Sequence, residues 1–252
     1  MSAMTTNSDD KVVQSVLVMI AMEAEAEPLL KKLNLVIVPC KNATAPCSMY
    51  TGLYNGCTVT VVTNGKCSRY GVDNVGTVPA GISTFVAVEQ FKPDLIINAG
   101  TAGGFKRKGA TIGAAYLCSM MRHHDRRIPI PGFTEYGHGH HAGHPTPNAL
   151  VALGLLSGII STGNSLDCTD TDDKLMNEHD ATVKDMEAAA IAWTAELSGT
   201  PFIALKVVTD IVDGGRPTQE EFFENLGTAA ASLQEKVPKL IDFVVGKKLN
   251  EL

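Results

Sequence analysis

The segment Pro201-Phe-Ile-Ala-Leu-Lys-Val-Val-Thr-Asp210 decides the fold class of this chain. Its apolar residues form a nearly continuous run that is rich in β-branched side chains and too short for a helix. Such a run predicts a strand buried on both faces, as in a sheet covered by helices. Asp210 closes the segment, and ligands of open α/β sheets bind outside the carboxyl ends of the strands. Asp210 is therefore a candidate site residue, and the alternative is an aspartate that caps the next turn.

Composition and charge exclude several classes of protein. The chain has 252 residues, which suffice for one large α/β domain with a sizeable core. Its net charge of −6 argues against charge-driven binding to nucleic acid or to an anionic membrane surface. No segment approaches the roughly 18 consecutive apolar residues that span a bilayer, and the first dozen residues are mostly polar. We therefore expect a cytoplasmic protein that binds neither nucleic acid nor membrane.

The cysteines and histidines do not show the spacing of metal ligands. The six cysteines contain no CxxC pair, which is typical of free thiols in a reducing compartment. Six of the seven histidines lie between His123 and His144, in a long irregular segment that ends near Pro147. Because no cysteine or carboxylate set accompanies them at ligand spacing, we predict no metal site. A loop of this length is more typical of an active-site rim or a subunit contact.

Strand and helix patterns alternate along the chain and indicate a single α/β domain over residues 15–252, preceded by a flexible tail over residues 1–14. A strand at the start of the domain leads into a helical pattern over Met22–Leu33. Because proline is tolerated in the first helical turn, Pro28 is predicted to lie there, which puts Glu23 and Glu25 in the turn between strand and helix. Asn55-Gly56 lies between two strand patterns and predicts a β-hairpin.

Further along, apolar residues recur at helical spacing from Asn74 to Phe91. The strand that follows is predicted to end at the glycine-rich turn Gly100-Thr-Ala-Gly-Gly104, whose glycines would let a ligand approach the backbone. This turn is not GxGxxG, and the chain contains no GxxxxGK[ST], so neither a dinucleotide site nor a P-loop is indicated. Near the C-terminus, Pro238 is predicted to break the last long helix.

Three acidic residues, Glu25, Glu187 and Asp210, each follow a separate predicted strand. If the strands are parallel, the three carboxyl groups converge on one crevice. Taken singly, Glu25 can be a solvated helix charge and Glu187 a plain first-turn acid. The conjunction of all three is what indicates a site.

The local context predicts a different task for each acid. Glu187, in the first turn of a helix, is favoured as an anion and suited to accept hydrogen bonds from hydroxyls. Asp210 follows apolar residues, so burial can raise its pKa as a general acid near neutral pH requires. Glu25, in the turn after the first strand, can orient and deprotonate water. Such a set suits hydrolysis of a glycosidic bond through an oxocarbenium-like transition state.

At these residues the sequence resembles the plant-type 5′-methylthioadenosine nucleosidases of the nucleoside phosphorylase superfamily, from about Ser15 to the C-terminus. The motifs that carry the resemblance are Ile20-Ala-Met-Glu-Ala-Glu25, Asn98-Ala-Gly-Thr-Ala-Gly-Gly104, His124-Asp-Arg-Arg-Ile-Pro-Ile-Pro131, Ser161-Thr-Gly-Asn-Ser-Leu-Asp167, Lys184-Asp-Met-Glu187 and Thr209-Asp210. The resemblance implies a single three-layer αβα domain with a central twisted mixed sheet. It also implies cleavage of 5′-methylthioadenosine to adenine and methylthioribose without a cofactor, and a homodimer.

The resemblance also implies roles for individual residues. Glu25 would activate the attacking water, and Asp210 would donate a proton to N7 of the adenine. Met186 would pack against the ribose, and Glu187 would accept hydrogen bonds from the ribose hydroxyls. The remaining substrate-binding residues that it implies are Met22, Thr101, Gly103, Leu166 beside the base, Lys184 and Asp185.

The chain departs from the family pattern at three positions, and two alternatives remain open. Asn164 stands where bacterial members usually have Asp, and Ala114 and Met120 lie in a strand where an Asp is common. One alternative is a phosphorylase of the same fold, which would need cationic groups where this chain has Glu25. The other is a non-catalytic relative of the storage-protein kind, although such a protein would be expected to lack one or more of the three acids.

Overall fold

The structure, a computed structural model, describes residues 10–252. The strands in this range are β1 (Ser15–Ile20), β2 (Val36–Val38), β3 (Ser48–Tyr54), β4 (Cys57–Thr63), β5 (Leu95–Gly104), β6 (Ala115–His123), β7 (His141–Ala142), β8 (Leu156–Thr162), β9 (Val183–Asp185) and β10 (Phe202–Ile211). The α-helices are α1 (Glu23–Lys32), α2 (Thr77–Phe91), α3 (Phe133–His138), α4 (Pro147–Leu153), α5 (Asp170–Glu178), α6 (Ala188–Ser198) and α7 (Thr218–Val244). Strands and helices alternate, as the sequence predicts for an α/β domain.

The strands form one mixed sheet in the order β10-β6-β8-β9-β5-β1-β4-β3-β2, with β7 paired to β6. An additional pairing of β10 with β5 closes the first five strands of this order into a ring, while β1 to β4 extend from it as an open sheet. β3 and β4 form the predicted hairpin around Asn55-Gly56, with Tyr54 opposite Cys57. Asn55 has φ 50° and Gly56 has φ 79°, the left-handed conformations that a two-residue hairpin turn requires.

Helices cover both faces of the sheet, so the predicted three-layer αβα arrangement is confirmed. The apolar cluster on one face takes residues from α1, α4 and α7, and that on the other face takes residues from α2 and α6. β10 lies between the two clusters and is buried from Phe202 to Asp210. Its alternate side chains enter opposite clusters, with Leu205 on one face and Ala204 on the other, as expected for a strand covered on both sides.

The glycine-rich segment at the end of β5 is strand, and the turn predicted there was wrong. β5 runs through Gly104 and pairs in parallel with β10 up to Ile211. A Cβ atom at Gly103 would lie 2.7 Å from Oδ2 of Asp210, and one at Gly104 would lie 2.7 Å from Cβ of Ala110. These glycines therefore allow close packing within the sheet, and they do not end the strand.

Two predictions about prolines were also wrong. α1 begins at Glu23, directly after β1, so Glu25 is helical and Pro28 lies inside the helix beyond its first turn. α7 continues through Pro238, which is buried within it. Proline cannot donate to the carbonyl four residues earlier, and Nζ of Lys32 from α1 lies 3.5 Å from this carbonyl oxygen of Gln234. The contact between helices partly replaces the missing hydrogen bond.

The ordered domain begins before Ser15. Val13 is buried, its N–H donates to the carbonyl of Lys247, and its carbonyl accepts from Gly246, each at 2.9 Å. The boundary predicted at residue 15 was therefore placed too late, because the contacts that hold this segment come from the far end of the chain. The rest of the predicted tail, residues 1–9, lies outside the described residues. Over residues 10–252 the helices include none with the length and apolar character needed to cross a membrane.

Candidate active site

All ten predicted site residues line one cavity of about 270 Å³ at the ends of β1, β5, β9 and β10. They are Met22, Glu25, Thr101, Gly103, Leu166, Lys184, Asp185, Met186, Glu187 and Asp210. The three acids come from distant parts of the chain, and their exposed fractions are only 5% for Glu25, 8% for Glu187 and 3% for Asp210. The predicted convergence of three carboxyl groups is therefore present.

The route to this convergence differs from the one that the sequence predicted. β1, β5 and β10 are parallel, but β9 runs antiparallel to β5, with Lys184 opposite Gly103. Glu187 thus approaches the cavity from the opposite direction, along the side of the long strand β5. The ring of five strands places β9 beside β5. A set of parallel strands, on which the predicted convergence depended, would not place β9 antiparallel to β5.

Glu25 lies in the first turn of α1 and turns its carboxyl group toward β5. Its Oε1 accepts a hydrogen bond of 2.9 Å from the backbone N–H of Thr101. Burial raises the pKa of Glu25, while the hydrogen bond from Thr101 and the ammonium of Lys206 oppose that rise. The arrangement leaves a fixed carboxyl group whose ionised form has both a donor and a nearby cation.

Asp210 is aimed into the cavity by a β-bulge. The register between β10 and β5 shifts between Val208 and Asp210, so that Thr209 is the extra residue, and such bulges commonly redirect a side chain. The hydroxyl of Thr209 donates to Oδ1 of Asp210 at 2.7 Å. Burial raises the pKa of Asp210, as the sequence predicts, although the Thr209 hydroxyl and the Lys184 ammonium lower it. The net result is a pKa of Asp210 above the usual value of an aspartate.

Glu187 is the N-cap residue of α6, so the structure places it at the helix N-terminus as predicted, but its electrostatics differ from the prediction. Burial and then repulsion by Asp185 raise the pKa of Glu187 to about 7. The α6 N–H groups favour Asp185 instead, because its Oδ2 accepts from Ala188 at 2.8 Å. The carboxyl group of Glu187 accepts from the N–H of Gly76 at 2.8 Å.

Lys206 is the main site residue that the sequence analysis missed. It interrupts the apolar run of β10, is buried, and places Nζ 2.8 Å from Oδ2 of Asp185. Burial disfavours both charges, yet the pair holds the pKa of Asp185 below and that of Lys206 above the usual values. A lysine inside a strand that is otherwise apolar was the available signal, because buried charges need a partner.

Lys184 lines the cavity, but its ammonium group binds the protein backbone. Nζ donates to the carbonyls of Ser165, Leu166 and Asp167 at 2.8, 2.6 and 2.9 Å. All three N–H donors of the ammonium group are thus used on one loop. Lys184 therefore fixes the loop that carries Leu166 to the cavity.

Three further residues of the lining had no distinct signal in the sequence. Val75 precedes α2, while Thr218 and Phe222 lie in the first turns of α7. Their spacing resembles that of any amphipathic helix or loop, so only the folded chain shows that they face a cavity.

The histidine-rich segment does not contribute to this cavity. Within it, His141 contacts Glu196 and His144 contacts the carbonyl of Leu249, each at 2.9 Å. Over residues 10–252 there is no group of three or more His, Cys, Asp or Glu side chains that could hold a metal ion. The six cysteines are free.

Comparison with known proteins gives the family. Residues 15–242 match the sequence model of the family described as the phosphorylase superfamily. The chain is 44% identical over 250 residues to a 5′-methylthioadenosine/S-adenosylhomocysteine nucleosidase of Arabidopsis thaliana, covering 97% of each chain. It is 46% identical over 242 residues to a 5′-methylthioadenosine nucleosidase of the same organism, covering 95% of this chain and 91% of the relative. The apo structure of Arabidopsis thaliana 5′-methylthioadenosine nucleosidase has a TM-score of 0.94 and 45% identity, covering 96% of this chain and 100% of that chain. Sequence and structure agree over nearly the whole domain, and the chain belongs to the phosphorylase superfamily.

Proposed function

We propose that the protein hydrolyses the N-glycosidic bond of 5′-methylthioadenosine, giving adenine and 5-methylthioribose in methionine salvage. The observation that carries this proposal is the meeting of Glu25, Glu187 and Asp210 in one cavity, all three buried. The two relatives described above are named nucleosidases for this substrate.

The proposed reaction breaks the bond between C1′ and N9, and its electron pair moves to the purine. Asp210, whose pKa is raised by burial, donates its proton to N7 and so improves the leaving group. Glu25 accepts a proton from the water whose oxygen attacks C1′. Negative charge near the sugar stabilises the oxocarbenium-like transition state. Proton exchange with solvent returns both carboxyl groups to their starting states.

The remaining predicted residues bind the nucleoside in this proposal. Glu187 accepts from the ribose hydroxyls, and Met186 packs against the sugar. Leu166 borders the base, held by the contacts of Lys184 with its loop. Met22, Thr101 and Gly103 complete the wall, while Asp185 acts through its ion pair with Lys206.

A phosphorylase of the same fold is the alternative, and Lys206 is a cation in the region where phosphate would bind. Its charge is matched by Asp185 at 2.8 Å, and Glu25 and Glu187 lie in the same cavity. A phosphate dianion would meet three carboxyl groups there, so water is the favoured nucleophile. The chain retains Glu25, Glu187 and Asp210, which also argues against a non-catalytic storage protein.

The decisive experiment incubates the purified protein with 5′-methylthioadenosine, with and without phosphate. Adenine and free methylthioribose in both reactions support the hydrolase. Methylthioribose 1-phosphate that appears only with phosphate would establish the phosphorylase instead, and no adenine in either reaction would favour the non-catalytic relative.

Substrate breadth needs a separate assay. The two relatives have similar identity to this chain, yet only one is named for S-adenosylhomocysteine as well. We propose 5′-methylthioadenosine as the main substrate. Adenine release from both nucleosides at equal concentration measures the ratio of their kcat/KM values.

We also propose a cytoplasmic homodimer. The exposed face of α2 supports the dimer, because Val78, Ile82 and Phe85 are 68%, 46% and 57% exposed. A contiguous apolar face of this kind is typical of a protein interface. The free cysteines agree with a reducing compartment.

A further inference from the structure

The N-terminus of α2 is held by a side chain from a distant loop. The N-cap residue Gly76 has no side chain, and the helix has no cap of its own. The first helical N–H groups need an acceptor from elsewhere. Oδ1 of Asn164 accepts from the backbone N–H of Thr77 at 2.9 Å and from its hydroxyl at 2.8 Å.

The other end of the same amide is bound as well. Nδ2 of Asn164 donates to Oδ2 of Asp125 at 2.9 Å, and the backbone N–H of Asn164 donates to the same oxygen at 2.7 Å. Because the N–H of Thr77 can only donate and the carboxylate of Asp125 accepts, the two partners fix the orientation of the amide. An asparagine meets both needs, whereas an aspartate would place a second carboxylate against Asp125.

Gly76 lies between Asn164 and the cavity. Its φ of 99° is a left-handed conformation that favours glycine, and a Cβ atom there would lie 3.0 Å from Oδ1 of Asn164. Its N–H donates to Oε1 of Glu187 at 2.8 Å. Within residues 10–252, this is the one hydrogen bond that the carboxyl group of Glu187 accepts.

We propose that Asn164 is a positioning residue that caps α2 from the loop after β8 and thereby fixes the Gly76 N–H that orients Glu187. The inference rests on the proposed function for one step only, in which Glu187 accepts hydrogen bonds from the ribose hydroxyls. Asn164 itself does not line the cavity. Its effect reaches the substrate through Thr77 and Gly76.

The main test is the variant Asn164→Ala, which frees both donors of Thr77. The probes are adenine and the 7-deaza analogue of 5′-methylthioadenosine, which lacks the N7 that Asp210 would protonate and so resists cleavage. We expect about tenfold weaker binding of the analogue, because a misplaced carboxyl group loses the ribose hydroxyls, and unchanged binding of adenine, which has none. Calorimetry measures both dissociation constants. Equal losses for the two probes, or a loss below twofold for the analogue, would overturn the inference.

A double variant tests the chemistry of the contact. Asp125→Asn combined with Asn164→Asp keeps an acceptor for Thr77 and avoids two facing carboxylates, so the analogue should bind within about twofold of wild type. If the pair binds as weakly as Asn164→Ala, the capping contact is not what matters. The control is Asn55→Ala, since Nδ2 of Asn55 donates to Asp242 in the β3–β4 turn, away from the cavity. This control should bind both probes normally.

A readout without ligand separates this inference from the proposed function. In the free protein, the amide hydrogens of Gly76 and Thr77 should exchange at least tenfold faster in Asn164→Ala than in wild type. Wild-type protein that fails to bind the analogue would count against the proposed function alone, whereas unchanged exchange would count against the inference. If Asn164→Ala does not fold, Thr77→Val removes one of the two contacts and should show the same selective loss, at a smaller size.

Discussion

At the scale of single residues, neighbours decide what each buried carboxyl group can do. Burial raises the pKa of Asp210 and of Glu187, whereas the nearby Lys206 keeps Asp185 ionised despite similar burial. The sequence places these acids next to strands, but it does not show which of them has a cation beside it. The distinction follows from distances in the folded chain.

Asp210→Asn should lower kcat by about a hundredfold or more, with little change in KM for 5′-methylthioadenosine. The amide keeps the shape of the side chain but has no acidic proton to give in the transition state. Steady-state assays of adenine release measure both constants. Turnover near the wild-type value would remove Asp210 from the proposed mechanism.

Glu187→Gln should stabilise the protein at alkaline pH. Burial raises the pKa of Glu187 from 4.5 to about 7, so between these values the folded protein holds a proton that the unfolded chain has released. The free energy of unfolding therefore falls as the pH rises through this window. At pH 8 the variant, which is neutral, should be more stable than wild type by about 3 kcal/mol, with a much smaller difference at pH 4.5.

Denaturant unfolding at both pH values measures this difference. Glu135→Gln, at an exposed position, is the control and should follow wild type at both pH values. The same pH dependence in wild type and Glu187→Gln would show that Glu187 is not buried as a protonated acid.

At the scale of elements, the connection between β4 and α2 contributes to the site as the strands do, because it brings Val75 to the cavity and the N–H of Gly76 to Glu187. Gly65 begins this connection with φ 68°, and a Cβ atom there would lie 1.8 Å from the carbonyl oxygen of Pro46. Gly71 has a similar φ of 71° but no atom within 4 Å of the same position. Substitutions at these two glycines therefore distinguish the cost of a left-handed backbone, which both share, from the cost of a steric clash, which only Gly65 has.

Gly65→Ala should therefore destabilise the protein by about 3 kcal/mol or more, because the new methyl group displaces backbone atoms. Gly71→Ala should cost only about 1 kcal/mol, the penalty of a left-handed conformation. Thermal or denaturant unfolding of both variants tests the comparison. Equal losses would mean that the contact with Pro46 does not constrain the connection.

At the scale of the whole molecule, α2 has two different faces. Its inner residues join the core cluster with α6, while Val78, Ile82 and Phe85 are exposed. The sequence pattern from Asn74 to Phe91 predicts an apolar helix face, but it does not show what covers that face. In the proposed homodimer the second copy covers these exposed residues, next to the helix N-terminus that holds Glu187.

Phe85→Glu should convert the proposed dimer to a monomer, because a charge in an apolar interface loses its hydration without a partner. Light scattering coupled to size-exclusion chromatography measures the mass. Val151→Glu is a matched control, since Val151 in α4 is 85% exposed and lies outside the proposed interface. A wild-type monomer, or a dimer that survives Phe85→Glu, would refute this interface.

The sequence by itself determined the fold class, the β-hairpin and the three acids that line the cavity as candidates, because these follow from local patterns. The apolar run of β10 is one such pattern, and Asn55-Gly56 is another. Only the tertiary structure decided that β9 runs antiparallel to β5, that β5 continues through its glycines, that Lys206 pairs with Asp185, and that Asn164 caps α2. Each of these depends on groups far apart in the chain, and the energy of such a contact depends on a distance that no local pattern encodes.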